Sequence, residues 1–413
     1  MAWKDVASDR MGEDRPSTLG ITWYAQHSHL RIGAAGALMC RKLAYLRAAI
    51  MQRERPRKEQ LDGLRAFAIL PVLYAHFWNE DSWVGSAGVF LFFVLSGYLI
   101  TGILLRSRTK PSALQNFYLR RALRIAPIYY VTLGFAWLLH LPDFRQTFLW
   151  HFFYLTNVLF TLNNNWSPWY TDHLWTLSVE EQFYLVWPFL ILFLPFKAIK
   201  PVVWSTIIAS IVYQVGAYWF LGVNALAPAV LVFSQLDKLG LGALLALEEA
   251  RLGFRRFLTK AGWVAFVIFL GLEALPIDHS LAWVLVLRGE LLMVAFAALI
   301  AAASSGIRGP AGAILNSRIL QYVGRISYGI YLFHLFLWVV TIKVLARLGL
   351  PFLGPGPGCF IVMSAMSIGA AAISWHFFEQ PLNRLKERLY VSPSTSVLPI
   401  KDISTKAPEP EGG

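Results

Sequence analysis

An apolar segment near the start of the chain, LDGLRAFAILPVLYAHF (61–77), contains an arginine and a histidine eleven residues apart. At about 100° per residue, eleven steps of an α-helix complete three turns and about 20°, which places Arg65 and His76 on one face. A neutral imidazole accepts a proton near physiological pH, so His76 is a candidate general base toward a hydroxyl group. The alternative is a hydrogen-bonded packing histidine, and Pro71 predicts a kink that alters the alignment of the pair.

A second candidate site contains a pair of arginines. In NFYLRRALRIAPIYY, Arg121 and Arg124 are three residues apart and share a helix face, and Arg120 lies beside them. Guanidinium groups at a helix start suit phosphate, because the side chains and the free backbone amides both donate hydrogen bonds to it. The segment therefore predicts a site for a phosphate-rich ligand, and the alternative is anchoring to anionic lipid headgroups.

Two glutamates open another predicted helix, in LWTLSVEEQFYLVWP. The helix dipole favours carboxylates there, so capping explains one of them. Adjacent side chains point in different directions, so either Glu180 or Glu181 is free to face the interior. In GVFLFFVLSGYLIT, Ser96 and Gly97 predict a close-packing notch, because a buried serine without a base nearby in sequence is more often bonded to its own backbone.

Charged residues also fall inside other apolar runs. A charge at the middle of a membrane helix costs roughly 2.5–3.5 kcal/mol if it faces lipid, so these residues are expected to face a polar interior or each other. They are Asp237, Lys238, Arg288 and Glu290. Mutual neutralisation and a functional role stay open for all four. The remaining histidines of the apolar region are expected to pack rather than to react: His140, His151, His173, His279, His334 and His376.

Membrane helices are the elements that must position these residues. Hydrophobic residues make up 56% of the chain and charged residues 15%, and apolar runs recur at about the 20-residue length that a bilayer requires. The alternating strands of a membrane β-barrel are absent from the sequence. The fold class predicted is an all-α polytopic membrane protein. Cys40 and Cys359 are expected on opposite sides of the membrane, so neither a structural disulfide nor a cysteine metal site is expected.

Ten transmembrane spans are predicted, which places both termini on one side. They are 63–79, 87–105, 125–141, 177–196, 201–220, 230–248, 261–275, 283–303, 323–342 and 357–378. Thirty Lys and Arg residues fall in segments on the side of the N-terminus and three in the opposite loops, so both termini are predicted to be cytoplasmic. The same distribution explains the net charge of +13, and nucleic-acid binding is not expected. Between spans three and four, residues 147–174 predict a short re-entrant or interfacial helix and an outer loop.

Three regions are predicted along the chain. Residues 1–60 form a basic cytoplasmic tail, 61–382 the transmembrane domain and 383–413 a disordered cytoplasmic tail. Within the first region, residues 32–51 are too charged to span a bilayer and are expected to lie on the membrane surface. A secretory signal peptide is not expected. An incorrectly assigned start, with Met51 as the initiator, is the alternative account of the first fifty residues.

Seven segments together resemble the membrane-bound acyltransferase-3 family, the integral-membrane O-acyltransferases of bacterial surface glycans. They occur in family order over about residues 60–382: DGLRAFAILPVLYAH, GVFLFFVLSGYLIT, FYLRRALRIAPIYY, LWTLSVEEQFYLVWP, LDKLGLGALLAL, ISYGIYLFH and FFEQP. The family often has an arginine where Gln235 stands, so the resemblance carries no role to Asp237. The resemblance also implies a multi-pass protein of the bacterial inner membrane.

The resemblance implies transfer of an acyl group, usually acetyl, from cytoplasmic acetyl-CoA or another acyl-CoA to a hydroxyl of a saccharide or lipid-linked glycan. His76 is then the essential histidine, and Arg65 works with it. Arg121 and Arg124, with Arg120 close by, belong to the donor site that faces the cytoplasm. No permanently bound cofactor and no metal are expected; membrane lipids are the other partners.

Several alternatives stay open within this interpretation. Glu180 is expected to orient either the histidine or the sugar, and direct attack on the thioester competes with a covalent acyl-histidine intermediate. The acceptor is an exopolysaccharide, O-antigen or other lipopolysaccharide, peptidoglycan, a lipo-oligosaccharide or a macrolide-like small molecule. The chain either completes the transfer or relays the acyl group to a separate periplasmic transferase. A transporter or flippase is the alternative from another class, and no inverted repeat in the sequence favours it.

Overall fold

The computed structural model describes residues 59–80, 82–278, 281–352 and 354–388, and the side chains of 385–388 are not described. Within these ranges every regular element is helical. The helices are α1 (Glu59–Phe77), α2 (Val84–Ser107), α3 (Ala113–Leu138), α4 (Phe144–Phe152), α5 (Thr156–Asn163), α6 (Leu174–Phe193), α7 (Phe196–Leu221), α8 (Ala227–Val230), α9 (Leu236–Glu248), α10 (Leu252–Ala274), α11 (Ala282–Ser305), α12 (Gly309–Leu315), α13 (Arg318–Arg347), α14 (Pro357–Ser374) and α15 (Gln380–Arg388). The all-α prediction is confirmed.

Six helices are long and apolar enough to cross a membrane: Val84–Ser107, Phe196–Leu221, Leu252–Ala274, Ala282–Ser305, Arg318–Arg347 and Pro357–Arg384. Each of the other four predicted spans also coincides with a helix, namely α1, α3, α6 and α9. Helix α9 has only 13 residues, fewer than the roughly 20 that a bilayer requires. Two short helices, α4 and α5, occupy the segment for which one was predicted. The ten-span topology and the re-entrant helix therefore stay predictions.

The predicted tails lie almost entirely outside the described residues. These exclude 1–58, with the predicted surface segment 32–51, and 389–413. At the other boundary, helix α15 continues to Arg388, so the first residues of the predicted disordered tail, 383–388, are helical.

Helix α2 lies at the centre of the bundle, where it packs against α1, α6, α9 and α11. A Cβ atom on Gly97 would lie only 1.9 Å from the carbonyl oxygen of Leu239, so only glycine allows α2 and α9 to approach this closely. The predicted close-packing notch is confirmed at this glycine.

Helix α13 lies alongside α1 and carries several residues of the site described below. It begins at Ser317, whose side chain accepts a hydrogen bond from the backbone N–H of Leu320 and so caps the helix. A Cβ on Gly324 would lie 1.8 Å from the carbonyl oxygen of Asp62. This close approach brings α13 against the face of α1 that carries the predicted catalytic histidine.

Three of the four charged residues that fall inside apolar runs form ion pairs. Lys238 Nζ lies 2.9 Å from Asp237 Oδ2, and Gln214 Nε2 donates a hydrogen bond of 2.8 Å to the same oxygen. Both ionised side chains are buried. Arg288 pairs with Glu273, with 2.5 Å between Nε and Oε1. Asp237 and Lys238 thus neutralise each other, which is one of the two alternatives left open for them.

Replacing Lys238 with methionine is expected to lower the free energy of unfolding by about 3–5 kcal/mol, because it leaves Asp237 buried without its cation. Thermal unfolding of the purified protein in detergent measures this loss. The double variant Asp237→Asn/Lys238→Met is expected to lose less than the single variant, since no lone charge remains. Lys200→Met is the control, because the Lys200 side chain is 46% exposed and its partner Glu248 keeps a second cation, Arg251, at 3.0 Å. A single variant as stable as the wild type would contradict the expectation.

Candidate active site

A pocket lies between α1, α2, α3, α6 and α13. Its polar lining consists of Arg65, Ser96, Arg121, Arg124, Thr176, Glu180, Tyr184, Ser327, Tyr328 and Tyr331. The structure therefore brings together the predicted residues of three separate sequence segments. Arg120 is exposed on α3 and does not line the pocket.

Three guanidinium groups line the pocket close enough for their charges to interact, and the part they line is called the arginine end: those of Arg65, Arg121 and Arg124. The Nη1 atom of Arg65 lies 3.1 Å from Asp62 Oδ1, one turn earlier on α1. The guanidinium of Arg121 lies over the ring of Tyr184, 4.8 Å from its centroid. Among the described residues, neither Arg121 nor Arg124 forms an ion pair within 4.0 Å. Two of the three guanidiniums at the arginine end, those of Arg121 and Arg124, thus carry positive charge that no direct ion pair neutralises.

Glu180 lies in the same pocket, held between α2 and α6. Its Oε1 atom accepts a hydrogen bond from Ser96 Oγ, and the Tyr184 hydroxyl donates to Ser96 Oγ over 3.4 Å. The expectation that Ser96 is only a packing residue was wrong, because its hydroxyl bonds a carboxylate of the pocket instead of its own backbone. Among the described residues, the hydrogen-bond partner of the Glu180 carboxylate is Ser96 and not His76.

His76 lies at the far end of α1 from Arg65 and outside the pocket lining. Its Nδ1 atom is 2.8 Å from the carbonyl oxygen of Val72. Its Nε2 atom is 3.6 Å from Oδ1 of Asp172, and both side chains are 26% exposed. Asp172 lies two residues before the start of α6 and was not among the predicted site residues. Its carboxylate lies next to the ring of His76.

Two further histidines lie against His76, and the three form what is called here the histidine cluster: His76, His173 and His334. The ring centroids of His76 and His334 are 4.9 Å apart, and those of His173 and His334 are 4.7 Å apart. His173 and His334 are buried. Burial lowers the pKa of His173 to about 4, so its ring is neutral at physiological pH. Both were predicted to be packing residues, although His173 lies beside and His334 lies within a segment that carries the family resemblance.

A tyrosine and a threonine separate the pocket from the histidine cluster. The Oγ1 atom of Thr176 lies 2.7 Å from the hydroxyl of Tyr331, which donates to the carbonyl oxygen of His173 over 3.0 Å. Both side chains line the pocket, and the ring of Tyr331 lies 5.6 Å from those of His173 and His334. The pocket thus extends from the arginine end to a hydroxyl pair whose other side contacts the cluster.

The remaining histidines of the described region fit a packing role. His151 is buried with Nδ1 2.9 Å from Thr156 Oγ1. His376 Nε2 lies 3.1 Å from the hydroxyl of Tyr322, and His140 is exposed. His279 lies outside the described residues. Over the part of the chain that the structure describes, no group of three or more His, Cys, Asp or Glu side chains is placed to hold a metal ion.

A family comparison decides to which class of protein this arrangement belongs. The model of the acyltransferase-3 family, described as an acyltransferase domain, matches residues 58–376, most of the chain. The chain belongs to this family. The resemblance drawn from seven short segments is thereby confirmed. The acyltransferase-3 domain contains both the pocket and the histidine cluster.

Relatives within the acyltransferase-3 family include two proteins named for O-acetyl transfer. The peptidoglycan O-acetyltransferase OatA of Listeria monocytogenes is 32% identical, over 78% of this chain and 55% of that protein. The O-acetyltransferase OatA of Staphylococcus aureus is 27% identical, over 78% of this chain and 57% of that protein. The chain spans about half the length of the curated relatives that it matches. No solved structure matches it.

Proposed function

We propose that this chain is a membrane O-acetyltransferase that moves an acetyl group from acetyl-CoA to a hydroxyl of a cell-wall saccharide, with His76 as the general base. The observation that carries the proposal is the arrangement of one pocket, with three guanidiniums at one end and a histidine cluster beyond the other. Membership in the acyltransferase-3 family supports the reaction class, and the names of the two relatives support the saccharide.

The arginine end suits coenzyme A because that molecule carries a pyrophosphate and a 3′-phosphate. Guanidinium groups form charge-assisted, bidentate hydrogen bonds with phosphate oxygens, which are stronger than those between neutral groups. Arg121 and Arg124 have no ion pair of their own among the described residues, so a polyanionic ligand supplies the missing negative charge. The thioester end of the donor then points along the pocket toward Thr176 and Tyr331.

The histidine cluster, called the histidine end of the site from here on, suits removal of a proton from a hydroxyl. The Nδ1–H group of His76 donates to the Val72 carbonyl, which leaves the Nε2 lone pair free to accept a proton. The acceptor hydroxyl gives its proton to Nε2 while its oxygen attacks the thioester carbon. The carbon–sulfur bond breaks, and the departing thiolate takes the proton from His76. The products are the acetyl ester and free coenzyme A, and the histidine returns to its neutral form.

The membrane topology proposed is the ten-span arrangement with both termini in the cytoplasm, in a bacterial inner membrane. Helix α1 then starts on the cytoplasmic side, so the arginine end faces the cytoplasm, where acetyl-CoA is made. His76 and Asp172 lie toward the outer side, where a cell-wall saccharide is found. The helices α4 and α5 form the re-entrant or interfacial segment of this arrangement. Exposed apolar side chains on the long helices, such as Trp219, Phe220 and Trp263, suit contact with lipid.

Mass spectrometry of surface glycans from a deletion strain tests the proposed function. Loss of one acetyl group from a cell-wall saccharide, restored by the wild-type gene but not by a His76→Gln gene, is the expected result. Unchanged glycans in the deletion strain would overturn the proposal. Loss of an acyl group heavier than acetyl would mean that the donor is a longer acyl-CoA and not acetyl-CoA.

A transporter or flippase is distinguished from an acetyltransferase by ligand binding. Acetyl-CoA is expected to raise the unfolding temperature of the purified protein, since a ligand that binds only the folded state stabilises it. A flat response to acetyl-CoA, together with a clear rise on adding a lipid-linked saccharide, would favour transport.

A further inference from the structure

The three rings of the histidine cluster each place one nitrogen against a backbone carbonyl. Nδ1 of His76 is 2.8 Å from Val72 O, Nε2 of His173 is 3.2 Å from Leu332 O, and Nδ1 of His334 is 2.6 Å from Tyr331 O. A carbonyl oxygen accepts hydrogen bonds and never donates them, so each of these nitrogens carries a hydrogen. In a neutral ring, the other nitrogen is then a hydrogen-bond acceptor.

The second nitrogen of each buried ring, and one oxygen of a nearby carboxylate, have no hydrogen-bond donor beside them. Nδ1 of His173, Nε2 of His334 and Oδ1 of Asp172 are all buried atoms without a hydrogen-bond partner. Oδ1 of Asp172 lies 3.6 Å from Nε2 of His76 and 4.0 Å from Nδ1 of His173. While His76 is neutral, four acceptor atoms thus gather in one place with no hydrogen-bond donor among them. Buried polar atoms are nearly always paired, so this place calls for a ligand that donates hydrogen bonds.

The exposure of the cluster indicates how such a ligand arrives. The side chains of His76 and Asp172 are each 26% exposed, whereas His173 and His334 are buried behind them. A ligand that donates hydrogen bonds therefore contacts His76 and Asp172 first and reaches the two buried rings behind them. A sugar fits this order, since it carries several hydroxyl groups on neighbouring carbons and each hydroxyl donates one hydrogen bond.

We propose that Asp172, His173 and His334 form the subsite that binds the hydroxyl groups of the acceptor saccharide beside His76, and that Asp172 pairs with His76 once that ring has taken the proton. The subsite rests on the proposed function, because it assigns the acceptor end of the same reaction. His76 Nε2 receives the proton of the reacting hydroxyl, and His173 and His334 accept hydrogen bonds from its neighbours. Asp172 is a positioning residue: its carboxylate stabilises and orients the imidazolium until the thiolate takes the proton.

Asp172→Asn tests the pairing with His76, because asparagine keeps the size of the side chain and removes its charge. In proteoliposomes with acetyl-CoA and a soluble cell-wall saccharide, kcat is expected to fall roughly 10- to 100-fold. The KM for acetyl-CoA is expected to stay within about twofold, since Asp172 does not line the pocket. Asp172→Glu is expected to recover part of kcat. The control is Asp143→Asn, which changes an exposed aspartate of a nearby loop.

Two histidine variants test the hydroxyl-binding role without removing the structural hydrogen bonds. In His334→Asn the amide N–H can still donate to Tyr331 O, and in His173→Gln it can still donate to Leu332 O, while each variant loses the unpartnered nitrogen. Each is expected to raise the KM for the saccharide about tenfold and to leave stabilisation by acetyl-CoA unchanged. That stabilisation also reports that the variant is folded.

Two results separate failure of the subsite from failure of the proposed function. Wild-type kcat in Asp172→Asn, or an unchanged saccharide KM in both histidine variants, would overturn the subsite while the wild-type protein still transfers acetyl. Absence of transfer by the wild-type protein to any cell-wall saccharide would overturn the proposed function and the subsite with it.

Discussion

Replacing His76 with glutamine is expected to lower the rate of acetyl transfer roughly 10²–10⁴-fold, the contribution that a positioned general base makes. Glutamine has a similar size and can still hydrogen-bond, but it does not accept a proton near neutral pH. The change removes the one ring in the cluster that combines a free lone pair with access from outside, since His173 and His334 are buried. Binding of acetyl-CoA at the arginine end is expected to persist.

The His76 variant is measured in membranes or proteoliposomes by acetyl transfer to a saccharide, with membrane insertion checked by the amount of protein. His140→Gln is the control, because His140 is an exposed histidine outside both the pocket and the cluster. It is expected to transfer acetyl at the wild-type rate. A His76→Gln protein that is inserted and transfers acetyl at close to the wild-type rate would exclude His76 as the base.

Replacing Arg121 and Arg124 together with glutamine is expected to raise the KM for acetyl-CoA by roughly two orders of magnitude or more. Hydrogen bonds to charged groups contribute about 1.5–3 kcal/mol each, and about 1.4 kcal/mol corresponds to a factor of ten in binding. The two guanidiniums lie on one pocket wall and have no ion pair among the described residues, so their loss removes ligand contacts without exposing a buried carboxylate partner. The KM for the saccharide is expected to change little.

Arg120→Gln is the matched control for the arginine variant. It lies beside Arg121 in sequence and has the same charge, but it is exposed and does not line the pocket. Its KM for acetyl-CoA is expected to stay within about twofold of the wild type. Equal effects of Arg120→Gln and the double variant would mean that the segment attracts anions only through its overall charge, and donor binding at the arginine end would be wrong.

Local spacing is enough to predict the pair of arginines on α3 and the placement of Arg65 and His76 on one helix, α1. These features depend on geometry within a single helix, which the sequence alone determines. The position of the pair within its helix was predicted wrongly, because α3 begins at Ala113, well before Arg121 and Arg124. The two side chains therefore lie inside the helix and not at a helix start with free backbone amides.

The histidine cluster could not be predicted from spacing, because three separate elements build it. His76 comes from α1, His334 from α13, and His173 from the residue just before α6. The packing of α13 against α1, which a glycine at position 324 permits, brings His334 to His76. The third ring is held there by the contact of His173 Nε2 with the carbonyl oxygen of Leu332 on α13. The contacts of Asp172 and Ser96 could not be predicted for the same reason: their partners, His76 and Glu180, lie 96 and 84 residues away in sequence.

The two ends of the site suit two different roles, one toward the acetyl donor and one toward the saccharide. In the proposed function, positive charge at the arginine end binds acetyl-CoA, and hydrogen-bond acceptors of the histidine cluster bind and deprotonate the saccharide. Thr176 and Tyr331 lie where the two meet. Glu180, held by Ser96 inside the pocket, is then placed to contact the donor or the sugar instead of orienting His76.

The central claim, that acetyl passes from the arginine end to a hydroxyl at the histidine end, is tested most directly in proteoliposomes of uniform orientation. Acetyl-CoA is supplied on the side of the arginine end and a cell-wall saccharide on the opposite side, and the saccharide is then analysed by mass spectrometry. We predict an acetylated saccharide with the wild-type protein and none above background with His76→Gln. Acetylation that is equally fast with His76→Gln, or that requires both substrates on the same side, would contradict the claim.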